Sequence, residues 1–316
     1  MQFKKVLMIG FDEQSLFAPT WDKLKSFAEN LTLLPKGDPK INTELAAADC
    51  ALLWLGVNMT AEMIAAAPNL KYIGVYATGY GRVDTAAARA KNITVCNIPG
   101  YSTDGVAELA FACILENIRE IARAKTQTAA GDCSEATFTG TEISGKKFGV
   151  IGLGNIGARV ADIAAYGFNA DVSYYSKTRK PERESAKIKY EPDMNKVMAE
   201  SDFISLHLAY NDETEGVIGA AQIEAMKPGA VLINLSPMEL LDFDALCTRL
   251  ANGDITFIMD HSDEITAEQT ARLAKFKNCV MYPPIGCITK ESTQNKQNIF
   301  AANVAAFLNG APQNKV

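Results

Sequence analysis

Along nearly the whole chain, short apolar runs alternate with stretches whose apolar residues recur at helical spacing, the signature of an α/β protein. In the first part, strands are expected at 5–9, 31–34, 50–55, 72–76 and 94–97, with helices at 21–30, 61–66 and 85–90. A second series of six strands is expected at 148–151, 171–175, 203–206, 231–234, 256–259 and 279–281. Between the two series lies a long helical stretch, 103–129, in which Val106, Leu109, Ala110, Cys113, Ile114 and Ile118 keep helical periodicity. Ile98-Pro-Gly-Tyr-Ser before it reads as a hinge, with Ser102 or Thr103 as the cap and Asp104 favourable in the first turn. Such a helix crosses between domains, packs on a second subunit, or serves as an ordinary core helix. Residues 298–308 form another amphipathic helix, expected to return to the first domain.

The first strand of the second series runs into FGVIGLGNIG, where Gly152, Gly154 and Gly157 have the G-x-G-x-x-G spacing. The first glycine permits a tight turn out of a buried strand, and the second lets backbone amides approach a pyrophosphate. The third lets the next helix pack close, so that its N-terminus faces the phosphates. A helix-like run at 158–166 and a strand at 171–175 follow, the context a dinucleotide site requires. The plain alternative is a glycine-rich turn with no ligand.

Composition narrows this picture. The 316 residues suffice for two domains. A net charge of −6 argues against nucleic acid or an anionic membrane as partner. No apolar run reaches the ~18 residues of a membrane span, and 3–10 reads as a strand rather than a signal peptide. The seven cysteines show no paired spacing, which suits buried thiols in a reducing cytoplasm. With only His207 and His261, and no Cys or His cluster, no structural metal is expected.

The order of motifs resembles the D-2-hydroxyacid dehydrogenase family over nearly the whole chain. ATGYGRVD (77–84) is similar to its substrate-domain loop, and NIPGYSTDGVAELAF (97–111) to its hinge and first helix. GKKFGVIGLGNIG (145–157) resembles its nucleotide loop, and SDFISLHLAYNDETEGVI (201–218) its third-strand segment; MKPGAVLINL (226–235) and ELLD (239–242) continue the pattern. The resemblance implies two Rossmann-like domains with doubly wound parallel sheets. A flavodoxin-like substrate domain, 1–100 with 285–316, flanks a dinucleotide-binding domain at 101–284, through which two copies form a homodimer. The cofactor residues it implies are Gly152, Gly154, Asn155, Ile156 and Gly157 at the phosphates, with Ser176, Lys177, Thr178 and Arg179 at the ribose. His207, Leu208, Thr214, Leu235, Ser236, Pro237, Asp260 and Pro284 complete the set. Trp54, Leu55, Gly56, Thr78, Gly79 and Tyr80 fall on its substrate loops.

NAD-specific relatives carry an acidic residue after the second strand, where this chain reads Tyr-Ser-Lys-Thr-Arg-Lys (175–180). A carboxylate there repels a 2′-phosphate, whereas Ser176, Lys177, Thr178 and Arg179 attract one. NADP(H) is therefore expected over NAD(H), against the plain reading of a solvated basic turn.

The family reduces 2-keto acids with an arginine for the carboxylate, a histidine that protonates the carbonyl oxygen, and a glutamate that tunes the histidine. Aligned on INLSPMELLD and CVMYPPIGCIT, the arginine position holds Pro237 and the histidine position Pro284; the glutamate position falls on Ile265, one after Glu264. Proline neither donates a side-chain proton nor carries charge. His207 is expected to be structural. His261 with Asp263 and Glu264 is a replacement acid/base candidate or a solvated loop. Tyr282 qualifies if a nearby cation lowers its pKa, with Lys290 a weaker candidate, and otherwise packs as an aromatic. Tyr76, Tyr80, Met238 and Ile285 are expected to add apolar wall, suiting a bulkier or less anionic substrate than glyoxylate. Three functions remain open: an NADP(H)-dependent oxidoreductase with altered substrate and proton chemistry, a non-catalytic dinucleotide sensor or scaffold, and a residual hydroxyacid dehydrogenase.

Overall fold

A computed structural model describes residues 2–211, 213–262 and 265–316. They form two compact units, Met1–Ser102 with Lys290–Val316, and Thr103–Thr289. Residues 285–289, expected with the first domain, thus belong to the second unit. The loop is held there by its backbone: the Gly286 N–H donates to Asp260 Oδ2 at 3.2 Å.

In the first unit, β1 (Phe3–Ile9), β2 (Ala28–Leu34), β3 (Cys50–Trp54), β4 (Tyr72–Tyr76) and β5 (Thr94–Cys96) form one parallel sheet in the order β2-β1-β3-β4-β5. This is the flavodoxin-like order. Helices cover both faces, so β3 and β4 read as continuous apolar runs rather than alternating ones. One face buries Phe3, Met8, Leu24, Tyr72, Phe300 and Val304, the other Leu7, Leu45, Leu53, Ile64 and Ile73.

The element boundaries depart from expectation where polar residues interrupt the pattern. The helix expected to run to 30 ends at Ser26, and Ala28–Asn30 begin β2, an edge strand whose first residues are largely exposed. The helix Ile41–Ala47, with Leu45 as its buried anchor, was not foreseen. The last helix begins at Lys290, eight residues before the expected 298, because its early turns bury Ser292 and Gln297 instead of apolar groups. Gln297 Oε1 accepts the Phe17 N–H at 2.8 Å, and Asn303 Nδ2 donates to the Asn97 carbonyl at 2.8 Å, so burial leaves these amides satisfied.

In the second unit, β6 (Lys147–Ile151), β7 (Asp171–Tyr175), β8 (Ile188–Tyr190), β9 (Phe203–Leu206), β10 (Val231–Asn234), β11 (Thr256–Met259) and β12 (Cys279–Met281) lie in the order β12-β11-β10-β9-β6-β7-β8, all parallel. Counted from β6 this is the dinucleotide-binding order 3-2-1-4-5-6 with a seventh strand outside. The expected six strands omitted β8, whose three residues bury only Ile188. The segment expected as the third strand is therefore β9, the fourth in chain order.

The helical stretch 103–129 is broken. Thr103–Ile118 buries Val106, Ala107, Ala110, Phe111, Cys113 and Ile114, whereas Ile121–Ala129 buries nothing. Between them Glu120 adopts φ +50° and its carboxylate takes the Arg123 guanidinium at 2.6 Å. A left-handed residue cannot continue an α-helix, so the chain turns there. Among the described residues no helix is long and apolar enough to cross a membrane.

Candidate functional site

The turn after β6 is fixed by contacts that only glycine allows. Gly152 has φ +97°, and a Cβ there would lie 2.5 Å from the His207 carbonyl oxygen. A Cβ on Gly157 would lie 2.0 Å from the Gly152 carbonyl oxygen, so this residue brings the helix Asn155–Asp162 onto the strand end. Gly154 differs: a Cβ there meets nothing within 4 Å. It caps a helix start, opened by Asn155 and Ile156, to which no side chain among the described residues bonds. Its first-turn N–H groups are thus left for an external acceptor, and the space above Gly154 lets one approach. The residues present therefore fit a pyrophosphate.

Beside this turn is a cavity of about 350 Å³ lined by Leu153, Gly154, Asn155, Ala158, Ser176, Lys177, Thr178, Lys180, Glu182 and Arg183. The loop that forms it is braced from below. Buried Tyr174 donates its hydroxyl to Glu184 Oε1 at 3.1 Å and accepts the Lys180 N–H at 2.8 Å. Arg179 is engaged within the loop. Its guanidinium forks onto Glu184 at 2.7 and 2.8 Å, near the Tyr190 ring, and it does not line the cavity. Lys180 and Arg183 line it instead. Arg183 was missed by sequence reasoning because it sits beyond Pro181, in a one-turn helix invisible to periodicity. Lys177 lines the cavity while its ammonium pairs with Glu213 at 2.5 Å, which holds the Glu213 carboxyl below its usual range.

His207 follows β9 and donates its N–H to the Ile151 carbonyl at 2.8 Å, tying the two central strands at the glycine turn. Its ring Nε2 lies 2.7 Å from the hydroxyl of fully buried Ser205. Desolvation pushes its pKa down from 6.5 to about 3, so the imidazole is neutral. The unfolded chain takes up this proton first, so the contribution of His207 to stability is complete above pH 6.5 and lost as pH falls towards 3. At pH 5 the loss from this group is expected to be about 2 kcal/mol relative to pH 7. Denaturant unfolding of wild type and His207→Asn at both pH values tests it; equal pH dependence in the two proteins would refute the assignment. Next to it, Leu208 closes on Gly152, and Thr214 Oγ1 accepts the Asn211 N–H and donates to the Ala209 carbonyl.

At the carboxyl ends of β10–β12 the candidate chemistry is sparse. Leu235 and Ser236 are buried, and the Ser236 hydroxyl donates to the Leu206 carbonyl at 3.1 Å. Pro237 follows and starts a single turn, Met238–Leu240. Met238, expected in a pocket wall, is buried in the core beside Asn234 Nδ2, whose approach to its sulfur is 3.6 Å. Asp260 is buried and holds the 283–289 loop through Gly286, while His261 Nε2 lies 3.6 Å from Asp260 Oδ1. Ile265 packs against the core. Asp263 and Glu264 lie outside the described residues. Tyr282 meets an anion. Its hydroxyl donates to the Glu116 carboxylate rather than meeting a cation, and burial together with that carboxylate pushes its pKa up. Pro284 is half-buried, Ile285 exposed, and Lys290 exposed at the start of the last helix.

In the first unit, Trp54 and Tyr76 end β3 and β4 and pack on each other at 5.0 Å between ring centroids. Leu55 is exposed and its carbonyl accepts the Lys36 ammonium at 2.5 Å; Gly56 follows with φ +81°. Thr78 is pinned by its hydroxyl to the Ile98 carbonyl at 2.8 Å; Gly79 has open space around it and Tyr80 is exposed. Tyr76 is buried, and desolvation raises its pKa to about 12. Sequence reasoning missed Lys296, whose ammonium lies 4.4 Å from the Tyr76 ring, 5.0 Å from Tyr101 and 5.9 Å from Trp54.

Residues 111–286 match the family model for the D-isomer specific 2-hydroxyacid dehydrogenase, NAD binding domain. A glyoxylate reductase from Thermococcus litoralis is 35% identical over 285 residues, covering 87% of this chain and 86% of its own length. Among solved structures, an acyclic imino acid reductase in complex with NADPH and D-Arg superposes with TM-score 0.86 at 26% identity, covering 98% of this chain and 99% of its own. A D-lactate dehydrogenase from Aquifex aeolicus, complexed with NAD and lactic acid, gives 0.82 at 25% identity, with 97% and 96% covered.

Proposed function

The chain belongs to the D-isomer specific 2-hydroxyacid dehydrogenase family of NAD(P)-dependent oxidoreductases, and from that premise we propose that it is an NADP(H)-preferring reductase whose substrate and proton supply differ from those of its relatives. One observation carries the nucleotide part. The cavity beside Gly154 and Asn155 is lined by two hydroxyls and three cations, Ser176, Thr178, Lys177, Lys180 and Arg183, against one carboxylate, Glu182. That balance suits a 2′-phosphate. The unit Thr103–Thr289 is the dinucleotide-binding domain in this reading and the other unit the substrate domain.

When bound, the cofactor supplies hydride to the substrate carbon. The protein's own groups determine what else the reaction needs. Pro237, Ile265 and Pro284, at the positions aligned with the family's arginine, glutamate and histidine, offer neither charge nor proton. Tyr282 is committed to Glu116 with its pKa raised. A carbonyl oxygen needs a proton as hydride arrives. A protonated imine does not: the C=N⁺ carbon takes the hydride pair, the π pair becomes the nitrogen lone pair, and a neutral amine leaves. A 2-imino acid with a side chain larger than glyoxylate's therefore fits this site, and an imino acid reductase among the similar structures supports the reading.

NADPH and NADH titrations, followed by NADPH oxidation with a panel of 2-oxo acids with and without methylamine, test both parts. Tighter NADPH binding and oxidation that depends on the amine are expected. Tighter NADH binding overturns the nucleotide assignment, and ordinary enzyme rates with glyoxylate or hydroxypyruvate alone overturn the altered proton supply. The same three replacements favour a second reading, a non-catalytic dinucleotide-dependent scaffold, which predicts cofactor-dependent partner capture and no turnover. Helix Ile121–Ala129, with no buried residue and Ile121 exposed, supports assembly with a second copy through the dinucleotide-binding unit. Sedimentation of Ile121→Glu as a monomer, beside a dimeric wild type, is the expected result.

A further inference from the structure

We propose that a cavity at the carboxyl ends of β1 and β3 selects the substrate, taking its acid group on Lys36 and a short aliphatic side chain against Ile41, Val57 and Met63. The proposal rests on the reductase reading above. In a parallel sheet of order 2-1-3-4-5 the chain winds in opposite directions on either side of the β1–β3 pair, so the crevice outside their carboxyl ends is where a ligand fits. A cavity of about 250 Å³ lies there, walled by Ile9, Ile41, Val57 and Met63, with Lys36 and Asn58 as its polar side chains.

Two glycines put Lys36 at this place. Gly10 after β1 and Gly56 after β3 both turn the chain at positive φ, +83° and +81°. A Cβ at Gly10 would lie 3.1 Å from Lys36 Cγ and 3.2 Å from Cε, and one at Gly56 would lie 3.3 Å from the ammonium. The absent side chains thus leave a slot in which the lysine stem crosses the strand ends. The ammonium donates to the Leu55 carbonyl at 2.5 Å. That partner is neutral, so it fixes the cation without cancelling its charge and leaves two further N–H donors. Among the described residues no carboxylate pairs with Lys36.

The main chain of the same loop adds donors. Gly56 and Asn58 are exposed, and among the described residues their backbone N–H groups have no acceptor, so both remain open to an anion. The rest of the wall decides what else the ligand carries. Lys36 is the only charged side chain among the described residues that line the cavity, and the Asn58 carbonyl oxygen is occupied by the Arg82 guanidinium at 3.3 Å. A second charge on the ligand would therefore face Ile41, Val57 and Met63 without a partner. An aliphatic group suits them, each methylene placed there being worth about fourfold in affinity. The cavity thus fits a monoacid with a short aliphatic side chain rather than a dicarboxylate or a phosphorylated acid.

The test uses isovalerate, a branched acid with no carbonyl to reduce, beside acetate and neutral isovaleramide. Each is titrated calorimetrically into the protein with and without NADPH. Wild type, Lys36→Met and Lys36→Arg are compared, with thermal melting as a check on the fold. We expect isovalerate binding to weaken about tenfold or more in K36M and to recover to within about fivefold in K36R. Acetate should bind wild type at least about tenfold more weakly than isovalerate, and isovaleramide and NADPH should bind all three proteins alike. Unchanged isovalerate affinity in K36M, equal loss of acid and amide, acetate as tight as isovalerate, or no isovalerate binding to wild type at millimolar concentration each overturns the proposal. Failure of wild type to bind NADPH instead removes the reductase reading beneath it, so the two failures are told apart.

Discussion

Gly157→Ala is expected to abolish dinucleotide binding and to destabilise the unit that carries it, whereas Gly154→Ala weakens binding with the fold intact. The two glycines lie three residues apart in one turn, yet their surroundings are opposite. At Gly157 the added methyl would stand 2.0 Å from the Gly152 carbonyl oxygen, a backbone atom that cannot swing away as a side-chain tip can. The helix Asn155–Asp162 must lift from the end of β6, and overpacking of this kind costs about 1–3 kcal/mol or more. That corresponds to a fall in melting temperature of roughly 5–10 °C. The lift also carries the first-turn amides away from the pyrophosphate, for an expected loss of about 100-fold or more in NADPH affinity. At Gly154 no protein atom lies within 4 Å of the added methyl, so only the ligand meets it. Melting should stay within about 2 °C while affinity falls about tenfold. NADPH binding by Gly157→Ala within a few-fold of wild type would show that the turn does not hold the cofactor.

Ser176→Asp is expected to reverse the nucleotide preference. Ser176 lines the cavity beside Lys177, Thr178, Lys180 and Arg183, where a 2′-phosphate bearing nearly two negative charges would sit. A carboxylate there repels that group but accepts hydrogen bonds from the hydroxyls of an unphosphorylated ribose. NADPH affinity should fall about 100-fold while NADH affinity holds or improves. The structure also separates the cations of the loop. Lys180→Gln, which removes a charge lining the cavity, should weaken NADPH about five- to tenfold and spare NADH, with the difference shrinking at high salt. Arg179→Gln, which cuts a fork to Glu184 away from the cavity, should alter both nucleotides equally. A loss confined to NADPH in Arg179→Gln would restore that side chain to the phosphate and refute the placement.

The architecture was legible because its strands are buried on both faces. Leu52 and Ile73 sit in unbroken apolar runs that no amphipathic helix shows, and β4, β7, β9, β10, β11 and β12 begin and end where the runs do. What escaped was written in polar residues. The start of β2 is half-solvated, β8 contributes one buried side chain, and the last helix hides its first turns behind Gln297, which is buried by virtue of its hydrogen bond to the distant Phe17. The site divides in the same way. The glycine spacing announces itself because its constraint is local: Gly152 and Gly157 collide with backbone within the turn and with His207 beside it. The cations of 177–180 are visible as a run, but nothing in the run says that Glu184 takes one fork and Glu213 another ammonium. Lys296 was invisible because its rings come from three separate parts of the chain.

The discontinuity of the first unit reaches beyond the folded state. Its sheet is laid down by Phe3–Cys96, but its helix-facing core is completed by Phe300, Ala301 and Val304, and the main chain of Val316 bonds back to Val95. During synthesis the sheet therefore emerges early and waits, with Tyr72 and Leu52 uncovered, while residues 103–289 are made and can fold as a unit of their own. The order of birth is thus the reverse of the order of completion. A ribosome-stalled chain ending near 289 should show a protease-resistant second unit beside a first unit that is still digested and chaperone-bound. The half of the protein that is translated first is the last to become native.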